Sequence, residues 1–554
     1  MAGKYSQPEP IANSGRSWPD RRLNRAPIWC SVDLRDGNQS LPNPMGIERK
    51  LEYFRMLCDL GFKEIEVSFP SSSLTDFNFT RRLIEENLIP EDVSIMGLTP
   101  CRENLAQRTM DSFKGVRRAI VHAYIATSDL HVNNVFHSSR KEVLDKAVKT
   151  AQMIRQISDT YPESDIRFEF SPEEFSDTDI CFSLEICTAV FESWDKACPE
   201  KKMIINLPAT VERRLPNEYA DMVEIFSKNF SYRDKIIISL HAHNDQGMAV
   251  AACELGLLAG AQRVEGVLFG HGERSGNSCL VTLANNLRFR GLDVGLDFSN
   301  LEKISKRVEE LTGLPISPRH PYAGELVCCA FSGSHQDAIR KTMPKSPFNG
   351  QWKVSYLHFD PADLGRKYED LIRINSQSGK GGVAWVLNKE YGLDVPNPML
   401  GAIGQMAKSL SDSLGRELNS LELYDEFRRC FMDSSCPISL GNFRIWSDEQ
   451  DVSITNVEFV LEKDGQTTRL SGSGNGPVSA FVEALSRFEM GFSFSFADFY
   501  EQSIGSGEKA LALAYVCLCV EEKFSYWGAA GDANIAVAAA KAVLSALNHR
   551  LKQV

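Results

Sequence analysis

The chain has 554 residues, 43% of them hydrophobic and 24% charged, the proportions of an ordinary globular protein, and at roughly 150 residues per domain it is long enough for two to four domains. Sixty-one Lys and Arg against 73 Asp and Glu leave a net charge of -12, which speaks against nucleic acid as a partner while leaving room for a local basic pocket. No run approaches the ~18 apolar residues of a membrane span, and the 14 Cys, scattered without a C-x-x-C pair, read as reduced thiols, so no membrane and a cytoplasmic home are expected, with an organelle matrix as the alternative.

Residues 1–24 form a polar, Pro-containing arm. From residue 25 a short β-branched apolar run alternates with a longer segment of helical spacing. The runs are IWCSVDL ending at Leu34, EIEVSF at Phe69, VSIMGLT at Thr99, AIVHAYIA at Ala126, DIRFEFS at Ser171, KMIINLP at Pro208, KIIISLHAH at His243 and RVEGVLFG at Gly270. Between them lie amphipathic stretches such as IERKLEYFRMLCDLG and SRKEVLDKAVKTAQMIRQIS. Eight such units are what a (β/α)8 barrel requires, and the fold class expected is α/β: a TIM barrel over 25–319, a mainly helical linker over 320–435 and a C-terminal α+β domain over 436–554. In that last region ITNVEFVLEKDG, TTRLSGSG and SAFVEALSRFEM, followed by a second strand-to-helix passage ending in DANIAVAAAKAVLSALNHRL, read as two similar sheet-and-helix halves.

Polar chemistry gathers where the barrel runs end, and in a parallel barrel those ends share one face. Arg35 and Asp36 follow the first run; His122 and Tyr124 lie late in the fourth; Glu173 follows the fifth, Thr210 the sixth; His241 and His243 end the seventh; Gly272, Glu273, Arg274 and Asn277 follow the eighth. His241 and His243 stand at i and i+2, on one side of a strand, so both can face one ion, with Asp36 adding a hard carboxylate and Asn277 a carbonyl oxygen. This mixed N/O set suits Mg2+, Mn2+ or Zn2+. Arg35 offers a fork for a carboxylate or enolate. Taken alone, Glu173 would be a surface acid and Thr210 a helix cap. Ser378, Gly379 and Lys380, in Ser-Gly-Lys-Gly-Gly, with Arg373 and Asn375 upstream, form a candidate anion site, although the first Gly of a Walker loop is absent. His271 has no assigned role.

Asp-Leu-Arg-Asp-Gly-Asn-Gln at 33–39, Phe-Glu-Phe-Ser-Pro-Glu at 168–173, Asn-Leu-Pro-Ala-Thr-Val-Glu at 206–212, His-Ala-His-Asn-Asp at 241–245, Gly-Glu-Arg-Ser-Gly-Asn at 272–277 and Phe-Ser-Gly-Ser-His-Gln-Asp at 331–337 together resemble the 2-isopropylmalate synthase family, in its longer form, from about Trp18 onward. The resemblance implies a Claisen-type condensation of acetyl-CoA with a 2-oxo acid, 2-oxoisovalerate, followed by thioester hydrolysis. It implies a divalent metal held by Asp36, His241, His243 and Asn277, catalytic roles for Arg35, Glu173, His335 and Tyr368, and substrate contacts from His122, Tyr124, Ser171, Asn206 and Thr210. It further implies a homodimer, a monovalent ion such as K+ as an added cofactor, and inhibition by L-leucine at the last domain, where Gly472, Gly474, Gly528 and Asp532 mark the expected regulatory turns.

Several positions depart from the family pattern: Ser68, Ile125, Ala242, Gln246, His271 and Ser275 near the strand ends, and Ala529 and Ala530 in the last domain. The first group is expected to line the barrel mouth and bear on the identity of the acceptor. Two other readings stand beside the first: a sister Claisen enzyme taking a bulkier or aromatic 2-oxo acid, and an amino-acid sensor without turnover, against which the intact ligand set argues.

Overall fold

Eight parallel strands close on themselves in strict chain order. They are β1 (Ile28–Ser31), β2 (Glu64–Ser68), β3 (Ser94–Pro100), β4 (Arg118–Ala126), β5 (Asp165–Glu173), β6 (Met203–Ala209), β7 (Ile236–Ala242) and β8 (Arg263–Gly266). The computed structural model describes residues 8–330, 332–347, 349–368, 380–433, 435–448, 451–463, 465–504 and 510–552. They fall into two compact units, the first comprising the chain up to Cys328 together with Phe359–Tyr368, the second Cys329–His358 and the chain from Glu369 on.

The helices of the first unit follow from their sequences. In Arg140–Asp159, Ser139 caps the first turn and Glu142 reaches back to the Ser139 N–H, a reciprocal capping box. Val143, Ala147, Thr150, Ala151, Ile154 and Ser158 then fall on one buried stripe. Outward-facing strand residues such as Ile65, Val67, Val121, Phe168, Phe170, Ile205 and Leu240 meet these helices in one large core. Each fully buried Val, Leu, Ile or Phe of this kind contributes about 1.5–3 kcal/mol. The segment Phe359–Tyr368 joins the same unit: Phe359 and Leu364 are buried in its core, and Arg366 donates to the carbonyls of Tyr322 and Gly324 at 2.9 and 2.7 Å.

The inside of the barrel departs from the apolar runs expected. Glu64, Glu66, Glu169, Arg263 and Glu265 alternate with the outward residues and are almost wholly buried. Arg263 donates to Glu64 at 2.6 Å, to Ser239 and Glu265 at 2.7 Å and to Glu169 at 3.2 Å. One side chain on β8 reaching β2, β5 and β7 can do so only across the lumen. A small apolar layer of Cys30, Val32, Met96, Ile120, Ile204 and Val267 fills the remaining inner space.

In the second unit, β9 (Ile438–Ser447), β10 (Thr455–Lys463) and β11 (Gln466–Gly474) form one antiparallel sheet, and β12 (Phe494–Ile504), β13 (Leu511–Val520) and β14 (Phe524–Asp532) another. Helix Pro477–Leu485 follows the first and Ile535–Leu551 the second, the two halves expected. A shared core joins them. On the other face of β13 and β14, Leu513, Tyr515, Cys517, Trp527 and Ala529 pack against the helices Lys380–Tyr391, Leu400–Leu414 and Ser420–Phe431. Gly472, Gly474 and Gly528 are strand residues, not turn residues as expected. A Cβ on Gly528 would lie 2.2 Å from the Ala542 carbonyl and one on Gly472 2.5 Å from that of Ala480, so these glycines let a helix lie close on its sheet. Asp532 pairs with Lys541 at 2.7 Å and accepts from the Asn534 N–H at 3.0 Å.

The N-terminal arm is tied down. Asp221 and Glu224, on helix Pro216–Asn229, are buried and receive the Arg16 guanidinium, Asn13, Ser17 and the Trp18 indole at 2.6–3.1 Å. Hydrogen bonds to a charged group are worth about 1.5–3 kcal/mol each. Asp221→Asn is therefore expected to free the arm and speed tryptic cleavage after Arg16 and Arg21 with the barrel intact; an unchanged cleavage rate would mean that other contacts hold it.

Candidate active site

β1 ends in one wide π-helical turn, Asp33–Gly37, a form common at functional sites. It turns Arg35 and Asp36 together toward the lumen. Asp33 anchors the turn from behind, accepting from Tyr53 Oη at 2.6 Å, Ser31 Oγ at 2.7 Å and the Leu268 N–H at 3.2 Å. His241, on β7, brings Nε2 to 3.2 Å from Asp36 Oδ2, and His243, one residue past the strand, to 3.8 Å. Asn277 reaches the same point from the loop after β8, with Nδ2 2.7 Å from Asp36 Oδ2 and 3.2 Å from His241 Nε2. The backbone there is pinned by a bridge between His243 and Asn277. A Cβ on Gly272 would fall 1.8 Å from Asn277 Oδ1 and one on Gly276 1.9 Å from the Gly270 carbonyl, so this loop closes only with glycine at both positions.

The donor chemistry fits a divalent ion. Single ligand atoms of Asp36, His241 and His243 lie within 4.8 Å of one another, while the buried Asn277 Oδ1 and His243 Nδ1 have no hydrogen-bond partner. A half-turn of the Asn277 amide brings that oxygen into the cluster. Two imidazole nitrogens with carboxylate and amide oxygens are a common ligand set for Zn2+ or Mn2+. The charges agree. Burial disfavours the Asp36 carboxylate, but Arg35 and the two histidines overrule it and hold the group far below the usual range. Burial likewise opposes a charged His241, yet hydrogen bonds to Asp36 and Glu265 raise it to about 9, whereas burial and the neighbouring His241 push His243 down to about 4.

Around this centre lies a cavity of about 250 Å3 lined by Arg35, Asp36, His122, Tyr124, Ser171, Glu173, Asn206, Thr210, His241 and His243, with Phe69, Leu98 and Pro208 as its apolar wall and Gln39, Glu273 and Arg274 at its rim. Strand pairing sets these neighbours: Tyr124 lies opposite Ser171, Ala126 opposite Glu173, and Pro208 opposite His241. Arg35 is fixed by Glu66 at 2.6 Å and Asp36 at 3.1 Å. Glu66 also takes His122 Nδ1 at 2.8 Å, and His122 Nε2 meets Ser171 Oγ at 2.7 Å. Glu173 is raised above the ordinary carboxyl range, by burial first and by the adjacent Glu174 second. Thr210 Oγ1 accepts from the Glu174 N–H at 2.9 Å, a bond between two strand-end loops rather than a helix cap.

The profile of the HMGL-like family matches residues 26–308, that of the alpha-isopropylmalate synthase post-catalytic domain 325–388, and that of the LeuA allosteric (dimerisation) domain 417–551. Along its whole length the chain is similar to the 2-isopropylmalate synthase of Clostridium acetobutylicum, 46% identical over 99% of both chains. It is similar also to those of Rhodospirillum rubrum, 44% identical over 99% of this chain and 98% of that one, and Pseudomonas putida strain W619, 46% over 99% and 97%. The chain belongs to the 2-isopropylmalate synthase family. Its barrel places all the expected family residues up to Thr210, and the metal-ligand set, in or beside one cavity. Tyr368 lies in the barrel's unit, and His335 in the second, where its ring stacks on Tyr356 at 3.9 Å. Arg373, Asn375, Ser378 and Gly379 fall outside the described residues; Lys380 opens the helix Lys380–Tyr391, so the second half of the expected Gly-rich loop is helix.

The departures from the family pattern do not line the cavity as expected. Ser68 is buried against Thr80, its Oγ 2.6 Å from Thr80 Oγ1; Ile125 and Ala242 belong to the core between strands and helices; Gln246 bonds Glu212; and His271 packs behind the Asp33–Gly37 turn, its Nε2 3.0 Å from where a Gly37 Cβ would sit. The residues missed are Glu66, Phe69, Leu98, Pro208, Arg263 and Glu265. The charged ones carried a signal, an acid or base in the middle of an otherwise apolar strand. Asp36→Ala and His243→Ala are each expected to abolish stoichiometric Mn2+ binding in a calorimetric titration while leaving far-UV circular dichroism unchanged; tight binding by either variant would move the ion elsewhere.

Proposed function

We propose that this chain, like the relatives named 2-isopropylmalate synthase, forms 2-isopropylmalate, and that it does so by condensing acetyl-CoA with 2-oxoisovalerate and hydrolysing the resulting thioester with release of CoA. The observation that carries the reading is the convergence of Asp36, His241 and His243 beside the buried Arg35 and the raised Glu173 in one cavity. Asp36, His241, His243 and Asn277 would hold the divalent ion, which supplies a Lewis acid for the ketone of the 2-oxo acid. Arg35, kept charged by Glu66 and Asp36 despite its burial, is aimed at the negative charge that develops on the acceptor oxygen. Ser171, His122 and Asn206 present polar atoms for the acceptor's carboxylate, and Phe69, Leu98 and Pro208 enclose its alkyl group. Glu173 serves as a base toward the acetyl methyl group, because its raised pKa brings it nearer neutrality. His335 and Tyr368 are assigned to the same proton transfers on family resemblance.

In the second unit, a hollow lined by Pro477, Val478, Val482, Phe494, Phe496 and Phe499 suits a branched apolar amino acid. It supports L-leucine as the effector and the LeuA-type domain as the dimerising and regulatory part.

Thiol release measured with acetyl-CoA and a panel of 2-oxo acids is expected to be fastest with 2-oxoisovalerate; a clear preference for an aromatic acceptor would overturn the substrate assignment. Leu98→Ala should shift the ranking toward bulkier acceptors, since a methylene-sized change in such a pocket is worth ~1–3 kcal/mol, whereas Ile125→Asn should leave it in place. Because burial raises its pKa above that of an ordinary glutamate, the Glu173 carboxylate is lost as pH falls through that higher value. The acid limb of kcat/KM should therefore lie above the range of an ordinary glutamate and vanish, with most of the rate, in Glu173→Gln; an unchanged limb in that variant would assign the base to another group.

A further inference from the structure

We infer that Glu265 is a positioning residue for the divalent ion, fixing which nitrogen of His241 is offered to the metal and in what plane. The inference rests on the metal reading above. An imidazole coordinates through an unprotonated nitrogen and carries its proton on the other, so whatever binds the second nitrogen selects the tautomer. His241 Nε2 faces the ligand cluster, 3.2 Å from Asp36 Oδ2, and its Nδ1 lies 2.8 Å from Glu265 Oε2. A carboxylate can only accept there, so when an ion displaces the proton that Nε2 shares with Asp36, the remaining proton stays on Nδ1 and the Nε2 lone pair is left for the ion. The opposite tautomer would set a lone pair against a buried negative charge.

Glu265 is itself immobilised. Its Oε1 accepts from Arg263 at 2.7 Å and its Oε2 from Asn206 Nδ2 at 3.2 Å, and its backbone lies in β8 opposite Cys30 and His241. Arg263 is in turn gripped by Glu64, Glu169 and Ser239. The three acids Glu64, Glu169 and Glu265 thus hold one fully buried guanidinium, and only Glu265 of the three reaches a metal-ligating histidine. His243 has no such support, for its buried Nδ1 has no hydrogen-bond partner. The two imidazoles differ accordingly: one is oriented by a carboxylate and the other by its backbone alone. The ion's place in the barrel is referred through His241 to the Arg263 cluster.

The test is Mn2+ titration of the metal-depleted full-length chain, with free Mn2+ read by its electron paramagnetic resonance signal. Glu265→Gln keeps the volume and removes the charge; Glu265→Asp keeps the charge for Arg263 and withdraws the carboxylate from His241 by one methylene. Both should weaken Mn2+ binding about 10- to 100-fold, with a changed signal for the bound ion. Glu64→Gln also strips Arg263 of a partner but touches no ligand, and should bind Mn2+ within about twofold of the parent. If Glu265→Gln fails to fold, as judged by circular dichroism and gel filtration, Glu265→Asp decides. Parental affinity in the Glu265 variants, or an equal loss in Glu64→Gln, would overturn the positioning role and leave the metal site standing. Absence of stoichiometric Mn2+ binding by the parent chain would instead remove the metal reading itself.

Discussion

A closed circuit of hydrogen bonds and ion pairs runs around the floor of the cavity, and the rest of the site depends on it. Starting from Asp36 it passes to His241 at 3.2 Å, Glu265 at 2.8 Å, Asn206 at 3.2 Å and Ser171 at 3.0 Å, then to His122 at 2.7 Å, Glu66 at 2.8 Å and Arg35 at 2.6 Å, and returns to Asp36 at 3.1 Å. Its members come from β2, β4, β5, β6, β7, β8 and the turn after β1, nearly every stave of the barrel. None can move far without breaking contact with a member on another strand. The barrel's closure and the site's geometry are therefore one constraint.

Such a circuit carries a large desolvation cost, since a buried charge is tolerated only when paired and hydrogen-bonded. The barrel meets it by alternation. Glu66, Glu265 and Asp36 interleave with Arg35, His241 and His122, and Arg263 beneath them pairs with Glu64, Glu169 and Glu265 at once, although Glu169 keeps one buried oxygen without a hydrogen-bond partner. Replacing this interior with aliphatic side chains would be expected to be neutral or stabilising in isolation; what the charged version provides is polar groups already aimed before substrate arrives, the condition under which electrostatics lowers a barrier most. The apolar wall of Phe69, Leu98 and Pro208 stands apart from this circuit, and in the proposed function it shapes the acceptor.

The sequence makes the frame legible and the floor opaque. Eight β-branched runs and the helices between them announce the barrel, because a parallel strand covered on its outer face by helices must be apolar there. The histidine pair at 241 and 243 is legible as a candidate ligand pair because i, i+2 on a strand is a geometric statement. Glu66 and Glu265 show as acids within apolar strands but make no such geometric statement: which face an acid takes within a strand depends on parity relative to the neighbouring strands, and whether it is paired depends on residues such as His122, 56 positions from Glu66, and Asn206, 59 positions from Glu265, that only closure brings near. Ser68 and Ile125 illustrate the same limit from the other side. They stand beside strand ends in sequence, yet Phe69 and Tyr124, one residue along or back, take the inward positions. In the second unit Gly472 and Gly528 look like turns because glycine is usual in turns; here they mark where a helix lies on a sheet.

X-ray absorption at the zinc edge of the zinc-loaded chain shows whether the circuit presents Asp36, His241, His243 and Asn277 as one ready ligand set. Two histidine-type nitrogens at about 2.0–2.1 Å are expected, with the remaining shell oxygen and no sulfur. A shell containing a thiolate at about 2.3 Å, or one without histidine scattering, would place the ion outside this circuit and contradict the account.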